Sequence, residues 1–288
     1  MKFYLKYTLT SLLAISVLAG CDKEYESIEE VDERKIANYI ASQKLNLTKD
    51  SSGIYYQVLN VGAGPQPKNS EIVFFTYTAK SVDGKEYFTS KSYSSNSSYL
   101  GYVMPEGWRL ALNKINKGGK VRVVFPSTLG FGRNGSGVFE GNEVLDSELE
   151  FIDVKTQPEL EDVLINRFIV DNSLTGFTKL PSGVYYKIIT PGSGIDEVKS
   201  TSTITAAYTG RLLNGTIFDS ATKEMAFTTK LDGGIISGWK ETIPLIKKGG
   251  KLRILIPSAS AYGPNAQNNI GANSILDFDI ELVDVKNE

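Results

Sequence analysis

The chain contains two copies of one pattern. Tyr77 and Tyr208, Trp108 and Trp239, and Gly118-Gly119-Lys120 and Gly249-Gly250-Lys251 all pair at one spacing of 131 residues. Phe125-Pro126-Ser127 with Ile256-Pro257-Ser258, Phe131-Gly132 with Tyr262-Gly263, and Asp153-Val154 with Asp284-Val285 share that spacing. Upstream, Ser52-Gly53-Ile54-Tyr55-Tyr56 matches Ser182-Gly183-Val184-Tyr185-Tyr186 one residue out of step. Solenoid units repeat every ~20–50 residues, so a period this long is a whole domain duplicated. The copies are expected over residues 51–156 and 180–288.

Each copy reads mostly as strand. In the second, Ile204, Ala206, Tyr208 and Leu212 alternate with polar residues, and Leu252, Ile254 and Ile256 alternate with Lys251, Arg253 and Leu255. Leu276, Phe278, Ile280 and Leu282 face one way while Asp277, Asp279 and Glu281 face the other. This period of two predicts an antiparallel sheet with one solvated face. After Gly238, the spacing of Trp239, Ile243 and Ile246 predicts one short amphipathic helix, which Pro244 weakens. A sheet wrapped over one short helix, in tandem, is an α+β architecture.

Two further helical stretches precede the copies. Within residues 21–50, an acidic tether running to about Asp32 is followed by Ile36, Tyr39, Ile40 and Leu45 at helical spacing. Within a connector at 157–179, Leu160, Val163, Leu164 and Phe168 recur in the same way. Pro158 suits the first turn of that helix, where Glu159, Glu161 and Asp162 complement the positive end of the helix dipole.

Histidine is absent, which excludes a Ser-His-Asp triad, a Cys-His pair and any His-ligated metal. Nothing in the pattern implies a cofactor. The formal charge is −2, from 31 basic and 33 acidic residues. No basic stretch is dense enough to neutralise a run of phosphates, so nucleic acid is a poor partner. Residues 1–20 read as a targeting signal, with Lys2 and Lys6 ahead of the mostly apolar Tyr7 to Ala19, a run too short to span a bilayer comfortably. Cys21 is the one cysteine, so no intramolecular disulfide can form. Leu18-Ala19-Gly20-Cys21 resembles the lipobox of bacterial lipoproteins, and Cys21-Asp22-Lys23-Glu24 resembles the surface-export signal of Bacteroidetes lipoproteins. The resemblance implies cleavage before Cys21, acylation of its sulfur and a membrane anchor in the cell envelope, on its periplasmic or surface face. The alternative is an ordinary signal peptide followed by an unrelated, exposed thiol.

The second copy resembles the FKBP family of peptidyl-prolyl isomerases. The match is carried by Ala207-Tyr208-Thr209-Gly210, Asn214-Gly215-Thr216-Ile217-Phe218-Asp219-Ser220, Ile235-Ile236-Ser237-Gly238-Trp239, Lys248-Gly249-Gly250-Lys251, Ile256-Pro257, Ala261-Tyr262-Gly263 and Leu276-Asp277-Phe278-Asp279-Ile280-Glu281-Leu282. The resemblance implies a bowl lined by Tyr208, Phe218, Asp219, Phe227, Ile235, Ile236, Trp239, Tyr262, Ile270 and Phe278. Trp239 would be its floor. The backbone N–H of Ile236 and the Tyr262 hydroxyl would bind substrate carbonyls, and Asp219, bonded to Tyr208, would polarise the site. Proline-containing polypeptides are the implied substrates, with macrolides such as rapamycin as possible ligands. Two departures bear on substrate preference: Gly271-Ala272 stands where relatives often carry a double proline, and the short stretch from Asp219 to Phe227 leaves a family arginine without a counterpart.

Read singly, these residues have plainer explanations. Trp239, Phe218, Phe227 and Phe278 would pass as core, Asp219 as a turn residue and Asn214-Gly215 as a hairpin turn. Beside the enzyme reading stand a module that captures proline-bearing or apolar segments without turnover and a scaffold that holds an envelope partner. The first copy keeps Tyr77, Trp108 and the glycines but replaces the implied donors. Ile236 becomes Pro105, which has no N–H, Tyr262 becomes Phe131, Phe278 becomes Ser147, and Phe218-Asp219 becomes Phe88-Thr89. The expectation is a first copy that keeps the fold and has lost the activity, with the serine-rich insert Ser92 to Ser98 beside its pocket.

Overall fold

A computed structural model describes residues 26–88, 95–195 and 197–287. Cys21 and Thr89 lie outside the described residues, as do residues 92–94 of the serine-rich insert. The chain enters through α1 (Ile28–Ser42), then β1 (Thr48–Lys49), β2 (Tyr55–Asn60), β3 (Ile72–Ser81), β4 (Glu86–Phe88), β5 (Ser95–Tyr99), α2 (Glu106–Leu112), β6 (Lys120–Phe125) and β7 (Leu145–Ile152). After α3 (Gln157–Asp171), the pattern returns as β8 (Thr178–Lys179), β9 (Tyr185–Thr190), β10 (Thr203–Leu212), β11 (Ile217–Ala221), β12 (Phe227–Lys230), α4 (Ser237–Thr242), β13 (Lys251–Ile256) and β14 (Leu276–Lys286).

Each copy is an antiparallel sheet over one short helix, and the strand order is the same in both. The first runs β1-β2-β6-β7-β3-β4 with β5 also on β3; the second runs β8-β9-β13-β14-β10-β11 with β12 also on β10. Register is preserved at the centre. Tyr77 faces Leu149 and Ala79 faces Ser147 across β3 and β7, as Tyr208 faces Ile280 and Gly210 faces Phe278 across β10 and β14. One face of each sheet carries the inward set that period-two patterning picks out. In the second copy, Ile254, Ile256, Leu276, Phe278, Ile280 and Leu282 bury against Trp239 and Ile243.

The opposite face is not simply solvated, which corrects the sequence expectation. α3 lies on the second sheet, where Leu160, Leu164, Ile165 and Phe168 pack with Tyr185, Leu213, Leu255 and Ile275, and with Phe74 and Ile152 of the first copy. Each such fully buried side chain contributes about 1.5–3 kcal/mol. Asp277, expected to face water, is 3% exposed and takes a two-pronged ion pair from Arg253 at 2.9 and 2.7 Å. α1 covers the first sheet similarly, with Ile36 packed on Val124 and Val144.

Local sequence accounts for the helix ends. Ser27 caps α1 in a reciprocal capping box with Glu30. That helix therefore starts inside the acidic stretch, Asp32 is buried within it, and Leu45 falls beyond its end. Thr156 caps α3, with Pro158 in its first turn. α4 is shorter than the spacing of Trp239, Ile243 and Ile246 suggests. Pro244 ends it, and Ile243–Leu245 tighten into a 3-10 turn.

Candidate functional site

The concave face of the second sheet and α4 enclose a cavity of about 190 Å³. Tyr208, Phe218, Asp219, Phe227, Ile235, Ile236, Trp239, Tyr262 and Phe278 line it. Nine of the ten residues singled out in sequence thus come together. Ile270 does not line the cavity: it is 7% exposed and packs in the core cluster of this copy. Gly234 does line it, and sequence reasoning missed it, because an unsubstituted backbone at a rim leaves no side-chain pattern to read.

Tyr208 and Phe278 come from facing strands, β10 and β14, and meet above Trp239 near the start of α4. The Tyr208 and Phe278 rings stand edge-on to the indole at centroid distances of 5.1 and 5.4 Å. Phe218, from β11, is edge-on to Phe278 at 5.5 Å. Such perpendicular contacts fix ring orientation beyond simple area burial. The Asn214-Gly215 turn that delivers Phe218 and Asp219 is the expected hairpin, with Gly215 at φ 89° and the Thr216 amide donating to the Asn214 side chain at 3.0 Å. Gly210 is required by the site, because a Cβ there would meet Phe278 at 2.6 Å and Phe218 at 2.7 Å.

The polar groups sit on the rim. The Tyr208 hydroxyl donates to Asp219 Oδ2 at 2.5 Å, and Asp219 Oδ1 accepts the Ser220 amide at 2.9 Å. Burial first, then the Asp219 carboxylate, pushes the Tyr208 phenol above the usual range for tyrosine. The same two causes raise Tyr262, which is 39% exposed. Among the described residues, the Ile236 amide and the Tyr262 hydroxyl have no hydrogen-bond partner. Ile236 is the residue that caps α4, in extended backbone at φ −61°, ψ 144°. Trp239 Nε1 is buried and has no acceptor.

The first copy has the same scaffold with a different interior. Pro105 occupies the capping position of α2 at φ −70°, ψ 166°, so the backbone course matches and the donor is missing. The phenyl rings of Phe131 and Phe139 stack at 4.2 Å and 20°, and Phe139 also contacts Phe88, Tyr87 and Trp108. Ser147 is not the bare polar group on an apolar wall that the sequence suggested. It is 1% exposed and accepts the Trp108 indole N–H at 2.9 Å. Residues 95–98 of the serine-rich insert lie in β5, which pairs with β3.

No helix among the described residues is long and apolar enough to cross a membrane, and no group of three or more of their acidic side chains could hold a metal ion. The family profile of FKBP-type peptidyl-prolyl cis-trans isomerases matches residues 64–152 and again 195–283. The FKBP-type peptidyl-prolyl cis-trans isomerase FkpA of Buchnera aphidicola subsp. Schizaphis graminum is 44% identical over 116 residues, 40% of this chain and 46% of its own. Outer membrane protein MIP of Legionella longbeachae is 40% identical over 117 residues, 40% of this chain and 50% of its own. FkpA of Escherichia coli strain K12 is 40% identical over 106 residues, 36% of this chain and 38% of its own. The chain spans half or less of the length of these relatives. Two profile matches over duplicated sheets of one topology place this chain in the FKBP-type peptidyl-prolyl cis-trans isomerase family.

Proposed function

We propose that the chain speeds cis-trans isomerisation of X-Pro bonds in exported polypeptides, that the second copy carries the turnover, and that the first copy carries little or none. The supporting observation is the second bowl, where an apolar aromatic floor and two unpartnered donors meet at one mouth. Rotation about an amide crosses a barrier of ~18–20 kcal/mol because resonance is lost at the top. No proton has to move and no covalent intermediate forms, so a chain without histidine lacks nothing that the reaction needs.

The bowl favours the twisted amide over the planar one. A planar amide has a strongly polar carbonyl that loses hydration on entering an apolar cavity, whereas the twisted amide is more ketone-like and loses less. The proline ring would sit on Trp239, between Tyr208 and Phe278, while the Ile236 amide and the Tyr262 hydroxyl hold carbonyls on either side of the rotating bond. Fixing the flanking chain while the amide turns is binding that differs between ground and transition states. Asp219, held by Tyr208, sets the field at the mouth.

Export is proposed on two grounds. The residues leading to Cys21 have lipobox form, and one relative is named as an outer membrane protein. A single diacylated residue would tether the chain to a membrane without a spanning helix. The test is a proline-isomerisation assay on the full chain with and without rapamycin. Catalysis that the macrolide suppresses supports the reading, and a folded chain that leaves exchange at its uncatalysed rate on every X-Pro peptide defeats it.

A further inference from the structure

Glu161, on α3 and ahead of the second family match, contacts the turn that leads into Tyr262. Its carboxylate is 1% exposed. Oε2 accepts the Ser258 amide at 2.7 Å, and Oε1 accepts the Ser258 hydroxyl at 2.6 Å and the Gln157 side-chain amide at 2.8 Å. This is not the helix-dipole decoration that its place in the first turns of α3 suggests. Ser258 opens the 3-10 turn Ser258–Ser260, which leads directly into Tyr262.

The bonds continue from there to both proposed carbonyl donors. The Ser258 carbonyl accepts the amides of Ala261 and Gly263 at 2.9 and 2.8 Å, gripping the chain on either side of Tyr262. The Ser260 carbonyl accepts the Ser237 hydroxyl at 3.1 Å, and Ser237 follows Ile236 at the start of α4. A charged acceptor with two bonds to one residue is the strongest fixed point in this chain of contacts. We propose that Glu161 is a positioning residue for the Tyr262 hydroxyl, so that α3 belongs functionally to the second bowl. The inference rests on the isomerase reading given above.

The first copy has the matching contact. Asp32 Oδ2 accepts the Ser127 amide at 2.8 Å and the Ser127 hydroxyl at 2.7 Å. There the turn leads to Phe131, which has no hydroxyl to place, so the contact supports the fold alone. The two roles therefore have to be separated in the second copy by coupling and not by loss.

The experiment is a double-variant cycle in the full chain, reading kcat/KM on an X-Pro peptide for Glu161→Ala, Tyr262→Phe and both together. If Glu161 acts through Tyr262, Glu161→Ala lowers kcat/KM by about tenfold in the wild-type background and by less than about twofold once the hydroxyl is gone. Glu161→Gln, which keeps an acceptor for the amide, restores most of the loss. Ser258→Ala serves where Glu161→Ala does not fold, because it removes only the hydroxyl contact. It should show the same dependence on Tyr262 with a smaller effect. Equal losses in both backgrounds would overturn the proposal and leave a structural contact. A wild-type chain without turnover removes the isomerase reading itself, and this inference with it.

Discussion

Ser147 accepts the Trp108 indole N–H at 2.9 Å, while the equivalent indole of Trp239 faces Phe278 and has no acceptor. One substitution thus separates a satisfied interior from a hydrophobic floor. The neighbouring strand agrees: Gly210 leaves room for Phe278, and Ala79 can carry a Cβ because Ser147 is small. In the first copy the half-buried Phe139 stacks on Phe131 at 4.2 Å, and the equivalent positions of the second copy hold Ile270 and Tyr262.

Ser147→Ala should therefore destabilise the first copy and leave catalysis unchanged. Removing the acceptor strands a buried N–H, at a cost of about 1–3 kcal/mol. Denaturant unfolding followed by tryptophan fluorescence would show the shift, and kcat/KM on an X-Pro peptide should stay within twofold (roughly the error of such comparisons). A fall in turnover without loss of folded protein would tie the first copy to catalysis.

Gly210→Ala should do the opposite. The added Cβ meets two rings of the bowl below 3 Å, so Phe278 and Phe218 must move. A loss of about tenfold in kcat/KM is expected, equivalent to ~1.4 kcal/mol of transition-state binding. Unchanged kinetics in a folded variant would mean that these ring positions do not matter to the reaction.

The pH profile should be flat. Tyr208 and Tyr262 both titrate above the ordinary tyrosine range, so their protonated forms are favoured in the folded state. A raised folded value stabilises the fold fully below the unfolded value of about 10 and loses that contribution only as pH climbs through the folded value. With no histidine in the chain, kcat/KM should be constant from about pH 6 to about pH 9. A titration near neutrality would indicate a group that this account leaves out.

Cys21→Ala should move the protein from the membrane fraction to the soluble one, because Leu18-Ala19-Gly20 ahead of it has lipobox form. Equal membrane retention of the two proteins would contradict acylation at that sulfur.

Much of this was legible in sequence because the signals are local. Period-two alternation marks β10, β13 and β14, Asn214-Gly215 marks the hairpin, and an aromatic spacing repeated across the copies marks the two floors. What escaped depends on long-range contact. Asp277 reads as a solvent-facing residue until Arg253 and α3 are brought over that face of the sheet. Ile270 is pocket lining only as the family resemblance implies it, and its side chain packs in the core. Glu161 reads as a dipole partner because its acceptor role is defined by a serine 97 positions away.

The most direct measurement of the division of labour uses the intact chain with Asp219→Ala and Tyr262→Phe combined. Both residues belong to the second bowl, and the first copy has no counterpart to either among its described residues. Circular dichroism would verify the fold, and kcat/KM would be compared with wild type on the same X-Pro peptide. A loss of at least about a hundredfold is expected, two hydrogen-bonding groups at roughly tenfold each. A folded double variant that retains more than about half of wild-type turnover would place the activity in the first copy and contradict the account.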